Sequence, residues 1–91
     1  MSATPREHTR TYHLGKLATE LEQRGLTALL RAHPPALRIS HPDTHMLAET
    51  VDCVPLSEGW FYRWSWGEIV GLTDDPALAA DRIVRVLAAR Q

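Results

Sequence analysis

The run Trp60-Phe61-Tyr62-Arg63-Trp64-Ser65-Trp66 places four large rings at every second position. Side chains on an extended strand alternate between two faces, so as a strand this segment sends Trp60, Tyr62, Trp64 and Trp66 to one side. A helix would scatter them around its circumference. Each ring can bury roughly 150–250 Å², and 91 residues leave room for one core only. The ring-bearing side is therefore expected to be the core side of a sheet, and the rest of the chain must supply its cover.

Two helices are available for that purpose. Thr11 is a suitable N-cap for a helix with Leu14, Leu17, Ala18 and Leu21 on one stripe, with Glu20 and Arg24 one turn apart on another and Gly25 placed to end it. Near the other end, Asp75-Pro76 combines an N-cap carboxylate with a proline at the first helical position, where its missing N–H costs nothing. Ala79, Ala80, Ile83, Val86 and Leu87 then form a buried stripe, with Asp81 and Arg85 on the solvent side.

Between the helices the period changes to two. Leu26–Arg31, Leu37–Ser40, Ala48–Val54 and Trp60–Trp66 read as strands, the last one running on through Ile69 and Val70 with a break at Gly67. Pro34-Pro35, His41-Pro42-Asp43 and Leu56-Ser57-Glu58-Gly59 separate them. Gaps this short favour antiparallel neighbours. The expected fold is α+β: a single domain over residues 11–91 in the order α-β-β-β-β-α, a four-stranded antiparallel meander with both helices on one face. Residues 1–10, polar and without periodicity, are expected to form a flexible N-terminal arm.

Composition narrows the function classes. A formal charge of -1 provides no field to attract phosphate backbones or an anionic membrane, which argues against nucleic acid and membrane partners. The lone Cys53 cannot form an internal disulfide, and the start of the chain has no apolar signal core, so a cytoplasmic location is expected. No apolar run reaches the length of a membrane span.

Candidate chemistry is sparse. His41 and His45 flank Pro42 and Asp43 at a spacing able to chelate a metal, yet a closed site needs three or four ligands and no further one has motif spacing; the plainer reading is a turn with solvated imidazoles. Cys53 lies mid-strand with no oxyanion-type glycine motif, as a core residue would. No acid and base pair can be named among Glu49, Asp52, Glu58 and Glu68, and no cofactor motif is present. Catalysis has no candidate residues.

What remains is a surface. On the face opposite the rings, alternation groups Arg38, Asp52, Phe61 and Arg63, a mixture of arginine and aromatic side chains that interfaces favour. The leading expectation is a non-catalytic interaction or regulatory module acting through this open face, on a second copy of itself or another protein. The alternative is a small-ligand protein or small enzyme with a pocket lined by Tyr62, Trp64 and Trp66.

The Leu-rich first helix ending in Arg24-Gly25-Leu26, the proline-containing hairpin, the Trp-rich strand and the Ala-rich last helix together resemble a group of small uncharacterised proteins of high-GC Gram-positive bacteria. Some members of that group are encoded near helix-turn-helix regulators. The group has no assigned enzyme activity; the resemblance implies a bacterial regulatory partner protein, and it assigns no residue a role.

Overall fold

Proline is accepted in the first turn of a helix, and the first helix, α1 (Pro5–Gln23), begins on one. The computed structural model describes residues 5–89, with the side chains of residues 5 and 44–47 outside the description. Residues 5–10 are thus helical, which corrects the expected arm; the rest of that arm lies outside the described residues. Leu14, Leu17 and Leu21 form its buried stripe.

Gly25, at φ 85°, ends α1 in the left-handed conformation that only glycine adopts cheaply. Its N–H donates to the Glu22 carbonyl and the Leu26 N–H reaches back to the Leu21 carbonyl, each at 3.1 Å, which satisfies two carbonyls that the helix leaves open.

Five strands follow: β1 (Thr27–Ala32), β2 (Pro35–His41), β3 (Thr44–Leu56), β4 (Gly59–Trp64) and β5 (Ile69–Leu72). They form one antiparallel sheet in sequence order. The expected four strands are corrected to five, because the fourth stops at Trp64 and reverses through a turn. There the Gly67 N–H donates to the Trp64 carbonyl at 2.9 Å, and the Trp64 N–H donates to the Glu68 carbonyl at 2.8 Å. Gly67, at φ 101°, makes this reversal possible.

Pro55 lies inside β3 without disrupting it. Pairing with β2 ends at Val51, so beyond that point β3 has a neighbour only on the β4 side and a missing N–H is tolerated.

The second helix, α2 (Pro76–Ala89), starts where the Asp-Pro pair indicates, with the Leu78 N–H donating to Asp75 Oδ1 at 3.1 Å. Its Ala79, Ala80, Ile83 and Leu87 are buried. Arg24 joins the two helices, bonding the Glu20 carboxylate and the Asp81 carboxylate at 2.8 Å each. Asp81 therefore serves the helix–helix seam through Arg24, a partner that spacing along α2 does not reveal.

Both helices cover one face of the sheet. Their stripes meet Leu37, Ile39, Val51, Cys53, Tyr62, Trp64 and Val70 in a single core. Tyr62 is fully buried, and its hydroxyl donates to the His13 carbonyl at 2.7 Å, tying β4 to α1. Trp60 packs half-buried at the margin of this core. Trp66 departs from the expected parity: it lies in the turn after β4, is 45% exposed, and stacks on Trp64 with ring centroids 4.6 Å apart and planes at 10°.

Candidate functional site: the uncovered sheet face

Register fixes which side chains share the bare side of the sheet. Leu29 stands opposite Arg38, Arg38 opposite Thr50, Asp52 opposite Arg63 and Val54 opposite Phe61; Phe61 in turn faces Leu72, and Arg63 faces Ile69. All of these lie on the side away from the helices, since their alternate neighbours Leu37, Val51, Cys53 and Tyr62 are buried beneath α1 and α2. The four residues expected on this face, Arg38, Asp52, Phe61 and Arg63, are brought together there.

Arg63 and Asp52 form a two-pronged pair, with Nε to Oδ1 at 3.1 Å and Nη2 to Oδ2 at 2.8 Å. Donating these hydrogen bonds to the Asp52 carboxylate holds the Arg63 guanidinium above its ordinary range. Both side chains are partly exposed, so solvent screens the pair and its value is in fixing position more than in stability. Arg38, one strand over, is exposed.

The face divides into two halves. Towards β5 it is apolar: Ile69, Leu72 and Leu56 are exposed beside half-buried Val54 and Phe61. This half continues around the short β5 edge into a 380 Å³ hollow against α2, where Phe61, Ile69 and Leu72 meet exposed Leu78, with Asp75 and Arg82 at its margin. Towards β1 the face is basic, with Arg31 and Arg38 near the isolated Leu29. Leu56, Ile69, Leu72 and Leu78 were not singled out by sequence reasoning. The alternation of β3 carries Leu56, but the bulge between Tyr62 and Arg63 shifts β5 and conceals which of its residues face outward.

The alternative pocket residues do not converge. Tyr62 is sealed in the core, and Trp66 caps Trp64 from the turn. Trp64 does border a second hollow, of 260 Å³, with Glu68, Arg82, Arg85 and Val86. Arg82 spends one nitrogen on the Val70 carbonyl at 2.8 Å.

Other candidate groups are occupied or sealed. His41 Nδ1 accepts from the Asp43 N–H at 3.3 Å, which makes the loop a self-capped turn; the His45 side chain lies outside the described residues. Among the described residues no three His, Cys, Asp or Glu side chains gather as a metal site. Cys53 is fully buried, and burial pushes its thiol up to about 12, far from the thiolate that nucleophilic chemistry needs. Burial pushes the His13 imidazole down; Lys16 adds to that effect and Asp74 opposes it. No helix among the described residues is long and apolar enough to cross a membrane. Compared with family models, with curated proteins and with solved structures, the chain matches none.

Proposed function

We propose that the chain is a non-catalytic interaction module that self-associates and whose working surface is the uncovered sheet face. The observation that carries this reading is the gathering of Leu56, Phe61, Ile69, Leu72 and Leu78 around one side of the fixed Arg63–Asp52 pair. Contiguous exposed apolar surface of this kind is costly in an isolated chain and marks a contact site.

Charge selects the occupant. Among strand residues of this face, Arg31, Arg38 and Arg63 against Asp52 leave two net positive charges, so a second copy laid face to face would meet like charge. A partner protein offering an apolar segment with acidic residues fits better. In a regulatory setting, such a partner would be held or released by occupancy of this face.

A labelled peptide of alternating leucine and glutamate, followed by fluorescence anisotropy, tests the reading. It is expected to bind where a leucine and lysine peptide does not. Arg38→Glu should weaken that binding by roughly three- to tenfold, the range an exposed charge pair supplies. Equal binding of both peptides, or an unmoved Arg38→Glu variant, would refute it.

The hollow beside Trp64 supports a second reading, a small-anion site, because Arg82 and Arg85 both border it. Phosphate or citrate at millimolar concentration should then quench tryptophan emission, and Arg85→Glu should abolish the quenching. Unchanged emission in the native chain would exclude this site for those anions.

A further inference from the structure

The two edges of the sheet are built differently. The β5 edge has only four residues and a register shift against β4, and Arg82 from α2 donates to its Val70 carbonyl at 2.8 Å. These are the devices by which sheets discourage further pairing: short length, irregularity and cover. The β1 edge lacks the first two, although α1 packs against it on the helix side. Its six residues pair with β2 in unbroken register from Thr27↔Ser40 to Ala32↔Pro35, it contains no proline, and Leu29 and Leu30 are 60% and 42% exposed. A regular, apolar edge strand with open backbone groups on one side is a template for another strand.

We propose that β1 pairs antiparallel with β1 of a second copy of this chain, joining two five-stranded sheets into one ten-stranded sheet. The proposal rests on the self-association in the functional reading and names where it occurs.

The sequence of β1 indicates its own complement. A two-fold axis perpendicular to the sheet keeps each face on its own side, so residues placed opposite one another share a parity. Centred on Leu29, that symmetry sets Leu29 against its own copy and Ala28 against Leu30, which gives both exposed leucines apolar partners. Thr27 falls opposite Arg31, so the only charge in the strand meets a hydroxyl and not its own kind. The two Arg31 side chains stand about four residues apart along the strands, roughly 13 Å, beyond the screening length at physiological salt. The joined sheet then carries Arg31 and Arg38 of both copies in a central basic band, with an apolar half at either end. It thus presents one continuous surface to an acidic partner.

Light scattering on the native chain should report a dimer at micromolar concentration, and charge at position 27 tests the register. Thr27→Glu places a carboxylate opposite Arg31 twice per dimer and should tighten association by roughly three- to tenfold; Thr27→Arg should loosen it by a similar factor. Thr27 is half-buried and outside the core cluster, so both changes leave the core intact. Leu29→Cys should form an intermolecular disulfide at least about tenfold faster than Leu72→Cys, a similarly outward residue on the other edge, because the pairing brings two copies of position 29 within disulfide reach. A native chain that stays monomeric at several hundred micromolar, variants of Thr27 that shift association equally, or equal cross-linking at positions 29 and 72 would each overturn the proposal. Arg38→Glu is expected to weaken the acidic peptide without loosening the dimer, so the edge and the face fail separately.

Discussion

Truncation of Trp64 to alanine is expected to cost about 3–5 kcal/mol, a large part of the stability a domain of this size possesses. Trp64 is 2% exposed at the end of β4, opposite Val51 of β3 in the core cluster, so its removal empties space that neighbouring elements cannot easily refill. It also strands Trp66, whose ring loses the surface on which it stacks. Trp66→Ala gives the contrast. That ring already faces solvent, and only the stacking contact is lost, about 0.5–1.5 kcal/mol. Urea unfolding separates the two through the midpoint at unchanged slope. Equal losses for both would mean that the Trp64 indole is not the buried member of the pair.

Alkaline solution should destabilise the fold between about pH 9 and 12. Burial raises the Cys53 thiol from its ordinary 9.0 to about 12 and pushes the Tyr62 phenol upward as well. The unfolded chain therefore releases these protons at a pH where the folded chain still holds them. Stability from this source is complete below the unfolded values and declines as pH climbs towards the folded ones. At pH 10.5, Cys53 alone contributes a loss of about 1–2 kcal/mol, at 1.36 kcal/mol per unit of pH beyond 9. Urea midpoints at pH 8 and 10.5 should differ accordingly, and Cys53→Ala should flatten the decline that begins near pH 9. A midpoint that is level across this range would show that neither proton is held by burial.

Local chemistry made the ends of the helices legible. Gly25 and Asp75-Pro76 each solve a problem confined to four or five residues, so their sequence is sufficient to place them. The inward parity of Trp60, Tyr62 and Trp64 followed from strand alternation alone. The same rule failed at Trp66, because the sheet reverses at Gly67 and the parity of a strand ends where the strand does. A single glycine in an apolar run is compatible with a break in one strand or a turn between two, and only the pairing of Phe61 with Leu72 distinguishes them.

The start of α1 was obscured for a different reason. Residues 6–12 are mostly polar, and helix formation there draws on continuity with the Leu14–Leu21 stripe more than on a stripe of its own. Arg24 illustrates the limit of spacing arguments. Its pairing with Glu20 is one helical turn and is readable, whereas its pairing with Asp81 spans 57 positions and depends on two helices lying side by side. The face residues Arg38, Asp52, Phe61 and Arg63 were grouped correctly because parity is preserved along β2, β3 and β4 as far as Trp64, the bulge near Tyr62 belonging to the β4–β5 pairing. The bidentate geometry of Asp52 and Arg63 required the register itself.

The proposed interaction surface would work through complementarity, and the complement proposed for it is acidic and apolar. Amide chemical shifts recorded while the leucine and glutamate peptide is titrated test this most directly. Movement is expected at Arg38, Asp52, Val54, Phe61, Arg63 and Leu72, with the exposed side of α1 unchanged. Shifts confined to the helices, with the sheet amides still, would place the working surface on the other side of the molecule and contradict the assignment.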